Sequence, residues 1–216
     1  MCGLFASFSK QAIDVMSKVN SARGSHSFST TNILKASDGF LQTYIDKQRG
    51  AFKISSAAEV GYKICHIQAP TTSAQSEANI HPAVISFPDF MLWHNGIIKD
   101  GDVKRLQKKH NSDEKWDTML LLQEVIRGDT AANLSDIDGS FACFLKTPLG
   151  LYVFRNEISP LFYAENGDFS SVKMLGMQAL PENTVFKLDL NFDTNTISLT
   201  KKAEFTTFAN PYFFGE

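Results

Sequence analysis

Met1-Cys2-Gly3-Leu4-Phe5-Ala6 opens the chain. A residue as small as Cys after the initiator Met permits removal of Met1, which leaves Cys2 first. A Cys in that position carries nucleophile and base together: the thiol attacks, and its own α-amine, titrating at about 7.7–8.0 when free, takes and returns the proton. Gly3 lets a substrate approach the backbone closely. Gly3 to Phe8 is short and apolar, which predicts a strand at the very N-terminus. The plainer reading makes Cys2 a small apolar residue starting that strand, and so short a motif does not by itself separate the two.

Working outward, Lys10 to Val19 carries Ile13, Val15, Met16 and Val19 at helical spacing. Gly61 to Gln68 reads as a strand stopped by Pro70. Val84 to Trp93 is a second apolar segment, and His94-Asn95-Gly96 ends it with a turn signal. Lys99 to Lys109 is charge-rich, a solvated helix face. Trp116 to Ile126 has a helical pattern, with Asp117 where a carboxylate suits the helix dipole. Phe141 to Lys146 and Leu151 to Phe154 predict a hairpin around Pro148-Leu149-Gly150, and Val172 to Leu188 and Thr196 to Thr200 hold further strands. Strands dominate both ends with helices between, an arrangement of packed sheets covered by helices rather than regular βαβ alternation.

Composition narrows the classes. The 216 residues fit one large domain or two very small ones, and 43% hydrophobic residues, with 18 Phe, fill a substantial core. A net charge of −2 gives no electrostatic drive toward nucleic acid or anionic lipid. No apolar run approaches the roughly 20 residues of a membrane span, and the N-terminus lacks the features of a secretory signal. Three Cys, an odd and low count, do not make a disulfide framework, which points to a reducing, cytoplasmic setting. Five scattered His carry no metal-site spacing, and no Gly-rich phosphate loop is present, so no metal, ATP or other cofactor is expected.

Several segments, in order, resemble the class II glutamine amidotransferases. Met-Cys-Gly-Leu-Phe-Ala is similar to their N-terminus, and Arg23-Gly24-Ser25-His26-Ser27 to the Arg-Gly segment after their first helix. Cys65-His66-Ile67-Gln68-Ala69-Pro70-Thr71 resembles their strand ending in His-x-Arg-x-x-Thr, and Asn79-Ile80-His81-Pro82 their Asn-x-His-Pro. His94-Asn95-Gly96 matches their His-Asn-Gly, and Trp116-Asp117-Thr118 falls where they carry Ser-Asp-Thr/Ser-Glu. Ile137-Asp138-Gly139-Ser140-Phe141-Ala142 and Arg155 with Ser159-Pro160-Leu161 continue the series to about Tyr163.

The resemblance implies an α+β fold, a four-layer αββα sandwich of two antiparallel sheets, formed by residues 1–216 as a single glutamine amidotransferase domain. It implies a glutaminase with Cys2 as nucleophile and Asn95 and Gly96 as oxyanion donors, where a plain Asn-Gly turn is the alternative. Asp117 is expected to hold the substrate ammonium, or else only to serve the helix terminus. Thr71 aligns with a substrate contact, and Arg23 braces the nucleophile or meets the substrate. Gln68 departs from the pattern, which has Arg there to clamp the α-carboxylate; an amide does not reproduce that charged fork. Either Arg23 or Arg155 holds the carboxylate, or the substrate is a larger γ-glutamyl or other amide. His81 and His94 read as packing or turn residues, and Cys65 and Cys143 as inert buried thiols. Relatives usually continue into an acceptor domain, so the expectation here is a free-standing subunit delivering ammonia to a separate synthetase. A catalytically weak binding module of the same fold is the remaining alternative.

Overall fold

The computed structural model describes residues 2–69, 79–87 and 89–206, and Thr71 and the aromatic tail from Ala209 to Glu216 lie outside them. From the N-terminus run β1 (Gly3–Ser7), α1 (Lys10–Asn20), a 3₁₀ turn (Ser21–Arg23), β2 (Ser27–Lys35), β3 (Leu41–Arg49), a second such turn (Ile54–Ser56) and β4 (Tyr62–Gln68). Then come β5 (Ala83–Ile85), β6 (Phe90–Ile98), α2 (Asp100–His110), α3 (Asp117–Val125), α4 (Thr130–Ser135), β7 (Gly139–Thr147) and β8 (Gly150–Arg155). The chain closes with β9 (Phe162–Tyr163), β10 (Phe169–Ser170), β11 (Gln178–Ala179), β12 (Thr184–Asn191) and β13 (Thr196–Glu204). One sheet has the order β11-β9-β10-β1-β4-β2-β3 and the other β13-β12-β8-β7-β6-β5. Neighbouring strands in both pair antiparallel.

The period of two along each strand sorts side chains into layers. On β1, Leu4 and Ala6 face the other sheet and pack with Ile64, Trp93, Phe144 and Val153. Phe5 faces out and packs with Ile13 and Met16 of α1, and with Cys65 and Ile67. Across the second sheet, Leu92, Phe141, Cys143 and Leu145 face out onto Leu106, Leu120 and Leu134 of the other helices. Three apolar layers therefore separate α, β, β and α, the expected αββα sandwich.

Two sequence expectations fail instructively. In α1 the buried face is Ile13, Met16, Ser17 and Asn20, while Val15 and Val19 are 45% and 41% exposed. Steps of three and four from Ile13 define one stripe, and Val15 falls off it. His94-Asn95-Gly96 is not a turn but the middle of β6. Gly96 is absent from the glycines of positive φ. A Cβ there would lie 1.9 Å from the Ser140 carbonyl oxygen, so glycine is required by close approach to β7 and not by turn geometry. The helix expected from Trp116 begins one residue later, and the run Val172 to Leu188 is broken into β11 and β12. Phe205, next to the tail, is buried against Phe141.

Candidate active site

Cys2 immediately precedes β1, two residues before Leu4, and is 5% exposed. Its Sγ donates to the Ala69 carbonyl at 3.6 Å. Burial pushes the thiol pKa up; the Ala69 bond pulls it back, Asp117 pushes it up further, and the Arg23 guanidinium draws it down. The resting group is therefore a thiol that needs a base. Cys65 and Cys143 are fully buried, Cys65 pushed up to about 12 by burial, and both are inert by the same reasoning.

Arg23, in the turn after α1, grips the head of β1: its guanidinium donates to the Cys2 carbonyl at 3.3 Å and to the Ser171 carbonyl at 3.2 Å. Gly24 follows because a Cβ there would lie 2.5 Å from the backbone of Gln68 and Ala69. Ser171, which sequence reading missed, is the hub between the sheets. Its Oγ accepts from Leu4 N at 3.0 Å and from Asn95 Nδ2 at 3.1 Å, and donates to Leu4 O at 3.0 Å. No sequence signal marks it, since its partners lie 167 and 76 residues away.

Asn95 is 2% exposed, and its Oδ1 has no hydrogen-bond partner. An amide nitrogen carries two hydrogens, so Nδ2 keeps one beyond Ser171. The orientation of the Gly96 peptide follows from its neighbours. Gly96 lies opposite Phe141, whose N and O are taken by Asn156. The alternation of an antiparallel ladder then turns the Gly96 N–H to the other edge of β6. On that edge β5 pairs only as far as Leu92. Beyond it, His66 Nε2 donates to His94 O at 3.1 Å and Asp117 Oδ2 accepts from Ile98 N at 3.2 Å. The Gly96 N–H sits between those two closures.

Asp117 is 5% exposed at the first turn of α3, and its Oδ1 also accepts from Thr118 N at 2.7 Å. It thus serves the helix terminus and β6 while acting electrostatically on Cys2. Pairing of Gly3 with Ile67 sets Gln68 beside Cys2 at the ends of adjacent strands. The Gln68 amide is tied at both ends: Oε1 accepts from Ser27 Oγ at 3.1 Å and Nε2 donates to Asn79 O at 3.2 Å. Arg155 is spent elsewhere, on the Leu180 and Asn156 carbonyls, at 2.6 and 3.1 Å, and beside Glu182. It does not join the cluster at Cys2, whereas Arg23, Asp117, Asn95 and Gln68 do.

Behind β6 lie three buried histidines. His66 and His81 stack with ring centroids 3.8 Å apart, and Thr118 Oγ1 lies 3.1 Å from both His81 Nε2 and His94 Nδ1. Burial lowers His66 to about 3 and His81 well below its usual range, so both stay neutral at working pH. Among the described residues no cluster of His, Cys, Asp or Glu is arranged to hold a metal, and no helix is long and apolar enough to cross a membrane.

No family model and no curated sequence matches the chain. Solved structures do. The glutamine phosphoribosylpyrophosphate amidotransferase of B. subtilis superposes on 93% of this chain with a TM-score of 0.66 at 15% identity. A structure described as the allosteric regulatory enzyme of purine biosynthesis does so over 93%, at 0.66 and 14% identity. This chain covers 49% of the length of each. At such identity the likeness is one of fold alone: the αββα sandwich of this chain is similar to about half the length of these two structures.

Proposed function

We propose that this protein hydrolyses the side-chain amide of L-glutamine, or of a related γ-carboxamide, with Cys2 as nucleophile, and releases ammonia for a separate acceptor enzyme. The observation that carries the reading is that Ser171 ties the Asn95 amide of one sheet to Leu4 on the other, two residues after the buried Cys2. With Met1 removed, the Cys2 α-amine takes the thiol proton that burial otherwise holds in place. The sulfur bonds to the amide carbon, and the carbonyl electrons move onto oxygen, opposite Asn95 Nδ2 and the Gly96 N–H. As the C–N bond breaks, ammonia leaves with the proton of the α-ammonium, and a thioester remains. Water, deprotonated by the same amine, then cleaves the thioester to a carboxylate and restores the thiol. No cofactor enters any step.

Asp117 supplies the negative charge for the substrate ammonium. Arg23 retains three N–H donors beyond its two carbonyl bonds and is the cation at hand for a carboxylate. Thr71 and the uncharged Gln68 complete the substrate side. Because Gln68 is neutral and tied at both ends, a second reading is an amidase acting on a larger γ-glutamyl amide whose carboxylate is not free. Intact mass before and after treatment with an electrophilic glutamine analogue tests the main reading. Loss of Met1 and a single adduct, missing in Cys2→Ala, is the expected result; a chain that keeps Met1 and takes no adduct overturns it. Assay of free L-glutamine against larger γ-amides separates the two substrates.

A further inference from the structure

The Thr118 hydroxyl is the junction of a directed hydrogen-bond chain that ends on the Ser140 carbonyl, beside Gly96. His94 Nε2 lies 3.1 Å from the Ser140 carbonyl, which only accepts, so that nitrogen carries the hydrogen. The other ring nitrogen, Nδ1, faces the Thr118 hydroxyl, which donates to it at 3.1 Å. Its single proton is thereby placed, His94 being nearer than Asp117 Oδ1 at 3.4 Å. His81 must therefore donate from Nε2 to Thr118 Oγ1, which leaves its Nδ1 without a partner. The His94 ring so fixed covers the α-carbon of Gly96: a Cβ there would lie 2.7 Å from His94 Nε2. The preceding carbonyl, His94 O, is held by His66 at 3.1 Å.

We infer that Thr118 and His94 are positioning residues that set the Gly96 peptide, and with it the N–H that faces the developing oxyanion, without touching the substrate themselves. The inference rests on the proposed amidase reading. It explains why three histidines and a threonine are buried where two ring nitrogens, His66 Nδ1 and His81 Nδ1, go unpaired. Such burial is costly for the fold, and the four side chains are linked to one another at His94 of β6, two residues before Gly96.

The test compares Thr118→Val, which keeps the shape and removes the hydroxyl, with Thr118→Ser, which keeps the hydroxyl. Two reactions are measured on each: glutamine hydrolysis, and alkylation of Cys2 by iodoacetamide, which displaces iodide at a saturated carbon and forms no oxyanion. A misplaced donor is expected to lower kcat of Thr118→Val about 10–100-fold with KM nearly unchanged. Alkylation should stay at the wild-type rate and Thr118→Ser should recover most of kcat. If Thr118→Val does not fold, His81→Phe removes only the outer donor and should give a smaller loss of the same kind. Wild-type kcat in the folded variant, or alkylation falling in step with hydrolysis, overturns the positioning role alone. A wild-type protein that is alkylated yet hydrolyses no glutamine or γ-amide overturns the amidase reading, and this inference with it.

Discussion

Strand β4 buries polar groups near both of its ends, and it treats them differently. At one end Lys63 is fully buried, and its ammonium donates to the carbonyls of Phe8, Gly61 and Glu59 at 2.6, 2.8 and 3.4 Å. All three hydrogens are placed, while the amide oxygen of Asn32, its cross-strand neighbour, and the Thr31 hydroxyl beside it lack partners. Near the other end, His66 Nδ1, His81 Nδ1 and Asn95 Oδ1 all lack partners around the head of β1. A buried cation with every donor used holds loops together. Acceptors left open around a buried thiol mark a place where the fold has given up hydrogen bonds, as sites for ligands and water do.

Four experiments press on that contrast. Cys2→Ala should remove amide hydrolysis altogether and leave the melting temperature where it was; a residual rate above background breaks the comparison at its strongest point. Acidification comes next. His66 is held near 3 against an ordinary 6.5, so between those values the unfolded chain binds protons that the folded one refuses. Stability is therefore unaffected above pH 6.5 and falls as the pH drops below it. At pH 5 the loss from His66 is about 2 kcal/mol, and His81, held low by burial as well, adds to it in the same direction. Urea titrations at pH 7 and 5 measure it, and equal midpoints would count against the neutral stack. Asn95→Ala should slow hydrolysis by about 3 kcal/mol of barrier. It should leave stability near wild type, because it also deletes the unpartnered oxygen. Lys63→Met should do the reverse, costing about 1–3 kcal/mol for carbonyls left unsatisfied, with kcat of the folded protein unchanged. If Lys63→Met lowers kcat as Asn95→Ala does, the two ends are not separate in function.

Much of this was legible from residue order. The strand at Gly3 and the hairpin through Gly150 follow from local pattern, whereas the expectation that Cys2, Arg23, Asn95 and Asp117 act together comes from the family resemblance. What was hidden depends on contacts distant in sequence. Asn-Gly reads as a turn because turns demand positive φ, yet Gly96 is a glycine for the sake of a carbonyl on Ser140. Ser171 and the His81–Thr118–His94 chain join segments with no local signature. Gln68 shows its uncharged character in the sequence; that its amide is tied to Ser27 and Asn79 emerges only when β2 and β4 pair.

The position of β1 has a consequence in time. Strand β1 lies inside its sheet, between β4 and β10, and β10 follows it only at Phe169. At about 5–20 residues per second the ribosome needs roughly ten to thirty seconds to supply it. Through that interval the start of the chain has one eventual neighbour missing, and pairings of such long sequence separation close late. On the proposed amidase reading, that opening is when Met1 is trimmed, before Cys2 is buried.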